Sequence, residues 1–258
     1  MRGRGKPTRR VRVPILYYHR VAEDIPPEQG VTPAIFKLQI EYLRTRKYQS
    51  IGLEALSDYF RNGRPLPARP IVITFDDGYL DAFTQAYPIL KTSGFTATVF
   101  MVSGYIGGWS DWEGGRANRV RLMNREQILT MASQGFQFGG HTRNHKKLNA
   151  IRPEEAEGEI RLGKKDLEDL LQKPVQSFAY PYGDFNEQVV ELVKICGFKA
   201  ARTVHTGNTH GEEDLLRLTC VKINGKTPAW KFKYYLTGIY NWDIQWQEWK
   251  KARRNRGK

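Results

Sequence analysis

Three short polar clusters in this chain combine residue types that can do chemistry together. The first is Thr74-Phe75-Asp76-Asp77-Gly78-Tyr79, two adjacent carboxylates followed by a glycine. Alone, that pattern is equally an ordinary turn. The second is His141-Thr142-Arg143-Asn144-His145. Imidazoles four residues apart reach one cation if the segment coils as a single turn; otherwise they are two surface histidines. The third is the Tyr180-Pro181-Tyr182-Gly183 corner, which could equally close a buried loop. Considered together the clusters say more. The chain has only five histidines, and two of them stand in one cluster. An aspartate with two histidines makes a three-ligand set that leaves positions for water and substrate, as a catalytic metal requires. A neighbouring carboxylate can then serve as a base.

Such clusters act together only if the fold brings them to one place. Val13 to Tyr18, Ile71 to Phe75, Thr96 to Val102, Phe136 to Phe138 running into Gly139-Gly140, Val175 to Tyr180, Lys199 to Val204 and Arg217 to Ile223 read as strands. Between them lie helical patterns. Thr32-Pro33 caps a helix carrying Phe36, Ile40 and Leu43, and Leu53, Leu56 and Phe60 repeat the spacing. Further helices run from Ala82 to Leu90, from a capping box at Asn124 and Gln127, from Pro153 to Leu171, and from Asn186 to Ile195. Gly104 to Gly115 is a long glycine-rich loop with Trp109 and Trp112. The alternation predicts an α/β fold, a single-domain distorted or incomplete (β/α) barrel. All three clusters fall just past the ends of strands, where a parallel barrel builds its active site.

The net charge of +14 is not spread over this domain. Residues 1–12 hold six basic residues and no acid, and residues 250–258 hold six more. Removing those twelve from 41 leaves 29 basic against 27 acidic residues, so the body is nearly neutral. The expected organisation is therefore a basic tail over 1–12, the catalytic domain over 13–235, and an aromatic and basic tail over 236–258. Charged tails can attract an anionic membrane or cell-wall surface, or nucleic acid without base reading; the plainer reading is solvated ends. Trp242, Trp246 and Trp249 follow i, i+4, i+7 ahead of the second tail. That stripe reads first as packing on the barrel and second as an interfacial helix. No apolar run reaches the length of a membrane span. Two cysteines, Cys196 and Cys220, cannot build a disulfide framework or a four-cysteine zinc site.

The motifs TFDDGY, HTRNH and YPYG, in this order, resemble the polysaccharide deacetylases of carbohydrate esterase family four, the NodB-type fold. The opening VPILYYHRV, with TPAIFKLQIEYL and GLEALSDYF, is similar to the circularly permuted branch acting on poly-β-1,6-N-acetylglucosamine, the biofilm exopolysaccharide. The resemblance implies that Asp77, His141 and His145 bind one divalent metal, with zinc expected and cobalt or nickel compatible. It implies Asp76 as general base and His19 as general acid, since the family's usual Leu-x-His is missing near the C-terminus. The Tyr182 N–H, beside Pro181, would hold the oxyanion. Trp109, Trp112, Tyr105 and Tyr182 are candidates to line a sugar-binding groove.

One position departs from the pattern. The family's third motif carries an arginine that orients the base, and this chain has Ala179 there. Arg217, at the start of the last strand, is the expected substitute. The implied activity is removal of N-acetyl groups from the polymer, releasing acetate and a free amine. Peptidoglycan or chitin-oligomer deacetylation, or carbohydrate binding with little catalysis, are the alternatives. The resemblance places the protein at the cell surface or outside the cell. No signal peptide is visible, so a cytoplasmic location stays open.

Overall fold

The computed structural model describes residues 9–112, 119–244 and 246. The apolar runs become seven parallel strands: Ile15–Tyr18, Pro70–Phe75, Thr98–Met101, Gln137–Gly140, Ser177–Ala179, Ala200–Thr206 and Leu218–Lys222. Each pairs with the next in chain order. The seventh returns to the first through Val221 opposite Leu16 and Lys222 opposite Tyr17, so the barrel is closed rather than incomplete. A short eighth strand, Gln49–Ser50, pairs parallel with the start of Pro70–Phe75.

Closure follows from alternation along each strand. Ile15, Tyr17, Val72, Phe100, Ala179, Ala200, Leu218 and Cys220 form one buried cluster. Their neighbours Leu16, Tyr18, Ile71, Ile73, Phe75, Val99, Met101, Phe178 and Val221 form a second, larger one with the helices. The helices start where their caps predict. Thr32 accepts from the Ile35 N–H at 3.3 Å ahead of Pro33–Thr45. Asn124 and Gln127 exchange bonds of 2.9 and 2.8 Å at the start of Arg125–Ser133.

Described structure reaches into both expected tails. Val11–Arg12 is a strand paired antiparallel with Thr209–His210. Leu236 and Tyr240 are buried, Tyr240 against the rings of Tyr234 and Tyr235. Trp242 is 81% exposed and Trp246 is also exposed, so these two do not form the expected packing stripe. Trp249 lies outside the described residues. Cys196 and Cys220 are both free thiols.

Candidate active site

The strand Pro70–Phe75 delivers both carboxylates. The Asp76 N–H donates to the Tyr18 carbonyl at 3.1 Å, keeping the chain beside the first strand. Asp77 then takes a left-handed backbone (φ 69°), followed by Gly78 at φ 75°. A Cβ on Gly78 would stand 2.4 Å from the Met101 methyl, so the turn is built for glycine. Both aspartates are buried.

The histidines meet by a different route from the single turn that their spacing suggests. Residues 141–145 are not helical: Thr142 and His145 adopt left-handed backbones of φ 63° and 57°. The loop is fastened to the helix Pro153–Leu171. The Arg143 N–H donates to the Glu159 carbonyl at 3.0 Å. The Asn144 N–H and side-chain amide donate to the Glu159 carboxylate at 2.7 and 2.6 Å. Of six described non-glycine residues with positive φ, four (Asp77, Thr142, His145 and Tyr182) lie in this site. Backbone strain concentrated there must be held by the surrounding contacts.

The result is a buried three-ligand set. One ligand atom from each of Asp77, His141 and His145 lies within 4.8 Å of the others. The Asp77 Oδ1 is 3.3 Å from His141 Nε2 and 3.2 Å from His145 Nε2. It nevertheless forms no hydrogen bond of acceptable geometry. A buried carboxylate oxygen facing two imidazole nitrogens without a donor fits a divalent cation. His141 is oriented for that role: its Nδ1 donates to the Ala179 carbonyl at 2.7 Å, which leaves the Nε2 lone pair facing inward. Burial works to raise the Asp77 carboxyl, but the two imidazoles outweigh it and hold it well below its ordinary range. Burial likewise opposes charge on His141, yet Asp77 and Asp76 raise its basicity. His145 lacks a partner at Nδ1 and is set instead by ring contacts, with Trp112 and Tyr182 each 4.6 Å away centroid to centroid.

The expected partner of Asp76 is not Arg217. Arg217 reaches Glu187 at the surface, outside the barrel. Asp76 is instead paired with Arg202, which is 1% exposed. Parallel register sets Arg202 directly opposite Ala179 on the neighbouring strand. The arginine missing from one strand is thus supplied by the next. It points inward because Ala200, two residues before it, does. Its Nη1 donates to the Thr203 carbonyl at 2.9 Å, and its guanidinium carbon lies 4.2 Å from the Tyr17 ring centroid. Burial opposes its charge, but Asp76 overcomes this and keeps Arg202 firmly protonated. Composition offered one signal that sequence reasoning passed over: a lone arginine within the apolar strand Lys199 to Val204.

His19 stands past the end of the first strand and faces the same cleft as Asp76 and the three ligands. The Tyr17 hydroxyl and His19 Nε2 share a hydrogen bond of 2.7 Å. Tyr17, which sequence reading did not single out, therefore touches both the His19 imidazole and the Arg202 guanidinium. Burial lowers the basicity of His19, while Asp77 and Asp76 act the other way. The other two histidines of the chain sit elsewhere. His210 is buried, with Nε2 donating to the Val13 carbonyl at 3.0 Å, and burial pushes it down to about 4. His205 packs against Phe185.

The cleft has a volume of about 730 Å³. Trp112 and Tyr182 line it, and Tyr105 meets the edge of Trp112 at 5.3 Å. Pro181 is buried and opens the short turn that sets Tyr182 at φ 59°. Trp109 is a correction: it is not among the cleft residues, and Arg121 covers its ring at 4.8 Å. A bridge from Trp109 to Arg121 holds it against the strand-like segment before residue 124.

This arrangement can hold a divalent cation and a water beside a fixed carboxylate, under aromatic walls suited to the apolar faces of a sugar. Comparisons with known proteins agree with it. A family described as polysaccharide deacetylase matches residues 63–201, more than half of the chain. A putative polysaccharide deacetylase of Bacillus subtilis, YxkH, is 25% identical over 88% of this chain and 77% of its own length. The poly-β-1,6-N-acetyl-D-glucosamine N-deacetylase of Escherichia coli is 25% identical over 74% of this chain, which spans only 33% of that relative. Among solved structures, the Streptococcus pyogenes deacetylase PplD in complex with acetate superposes with a TM-score of 0.77. It is 25% identical, covering 88% of this chain and 99% of that one.

Proposed function

The chain belongs to the polysaccharide deacetylase family, and on that premise we propose that it is a metal-dependent N-deacetylase of poly-β-1,6-N-acetylglucosamine. The observation that carries this reading is the buried Asp76–Arg202 pair beside the Asp77, His141 and His145 cluster. A carbohydrate-binding protein without catalysis has no use for a second buried carboxylate with its own counter-ion.

Asp77, His141 and His145 would hold the cation, which when bound polarises the acetamide carbonyl and acidifies water; zinc suits this donor set, and cobalt or nickel are compatible. Asp76 takes the proton of the attacking water as the new C–O bond forms. Arg202 holds the Asp76 carboxylate in place while it does so. The Tyr182 N–H, on a left-handed turn at the cleft wall, stabilises the oxyanion. His19, steadied by Tyr17, gives its proton to the nitrogen as the C–N bond breaks. An imidazolium that holds its proton weakly is a correspondingly strong acid for that step. The products are acetate and a glucosamine residue with a free amine. The linkage preference follows the relatives named for that polymer, and a place at the cell surface follows from a polymeric substrate made for the outside of the cell.

The test is acetate release from β-1,6-linked N-acetylglucosamine oligomers by metal-loaded protein, with Asp76→Asn as matched control. Release abolished in the variant supports the reading. Release confined to β-1,4-linked oligomers or peptidoglycan would overturn the linkage, and no release from any of them would overturn the activity.

A further inference from the structure

A second cavity lies at the opposite end of the barrel, and its lining is strongly one-sided in charge. Arg12 precedes the first barrel strand, Arg69 precedes the second, and Lys233 sits on the helix Ala229–Tyr235. All three line a pocket of about 660 Å³, together with Leu236, Ile239 and Trp242. No carboxylate lines it among the described residues. Several other cations on the described surface pair with acids: Arg10 with Glu213 and Asp214, Arg20 with Asp81, Arg64 with Asp58, and Lys226 with Glu28. Arg12, Arg69 and Lys233 form no ion pair among the described residues.

These cations are held in place by other means. The Arg69 guanidinium lies 4.6 Å from the Tyr48 ring centroid, and the Lys233 ammonium 5.4 Å from that of Tyr42. The Arg12 guanidinium rests over Gly238, where a Cβ would stand 2.9 Å from Nη1. Like charges gathered around one cavity repel unless an anion enters it. Two guanidiniums offer forked donors and the ammonium a point charge, a set suited to the several oxygens and higher charge of a phosphate. The cavity is much larger than a bare phosphate needs. Its other wall, made of Leu236, Ile239 and the exposed Trp242, is apolar.

We propose that this basal pocket binds an organic phosphate, with the phosphate among Arg12, Arg69 and Lys233 and the organic part against Leu236, Ile239 and Trp242. The same chemistry is offered by a soluble phosphate ester and by a phospholipid headgroup, and the experiment separates them. Full-length protein is titrated with glycerol 1-phosphate by calorimetry, with Trp242 fluorescence as a local reporter. In parallel it is sedimented with phosphatidylglycerol vesicles against phosphatidylcholine vesicles. Arg69→Ala and Lys233→Ala should each weaken binding about tenfold or more, while acetate release stays at the parent level because the catalytic cleft is at the other end. Binding of the free ester with that loss assigns a soluble ligand; binding of anionic vesicles alone with that loss assigns a headgroup. A variant with Arg253, Arg254 and Arg256 changed to Gln controls for the basic C-terminus. Binding lost in that variant but kept in Arg69→Ala and Lys233→Ala overturns the proposal, as does no binding of either probe by folded parent protein.

Discussion

Replacing Arg202 by alanine should nearly silence the enzyme without touching any group that contacts substrate. The guanidinium and the Asp76 carboxylate are both buried and in direct contact. Two unit charges about 4 Å apart at an effective dielectric of about 20 interact by roughly 4 kcal/mol. Removing one partner of a buried pair typically costs about 3–5 kcal/mol. If most of that falls on the transition state, kcat/KM drops by about three orders of magnitude, since each 1.36 kcal/mol is roughly tenfold. The register supplies a stringent partner experiment. Arg202 lies opposite Ala179, so Ala179→Arg in the Arg202→Ala background returns a guanidinium from the adjacent strand into the space just vacated. The double variant should recover at least about tenfold over the single one. Acetate release measured for both variants decides the matter. A folded Arg202→Ala protein with the parent rate would refute this account of how Asp76 is held.

Further outcomes follow from the same geometry. Tyr17→Phe keeps the ring under Arg202 but removes the hydroxyl bonded to His19; kcat should fall about tenfold with KM little changed in steady-state assays. Gly163→Ala would place a Cβ 2.9 Å from the Thr142 carbonyl carbon and 3.0 Å from the Arg143 nitrogen. It should cost about 1–3 kcal/mol in chemical denaturation despite alanine's better helix propensity, and loosen metal retention in dialysis. His210 is held down to about 4 by burial, below the ordinary value of about 6.5, so the unfolded chain binds its proton first as pH falls. Its contribution is present above pH 6.5 and is lost towards pH 4, by about 3 kcal/mol in all. Urea midpoints for the parent and His210→Asn should converge over that interval. Chelation should lower Tm, by the equivalent of about 2.7 kcal/mol if the metal had been at a hundred times its Kd; an unchanged Tm would argue against a metal in the Asp77 site.

The sequence by itself determined the local structure and the inventory of reacting groups. Strand alternation, the caps at Thr32 and Asn124, and the polar clusters at strand ends all depend on residues close together in the chain, and each appears where it was expected. The tertiary structure decided how those groups are held. Whether an arginine for Asp76 comes from Leu215–Leu218 or from the strand at 200–206 is a question of which strands are neighbours and which face is inward. Pairing across 23 residues, Ala179 to Arg202, answers it. The histidine pair converges through left-handed backbone fixed by Glu159, not through the helical turn that i, i+4 spacing suggests. The basal pocket gathers Arg12, Arg69 and Lys233 from three distant segments. Side-chain types and their periodicity are local properties, whereas counter-ion choice, loop anchoring and pocket charge depend on long-range contacts that exist only once the barrel has closed.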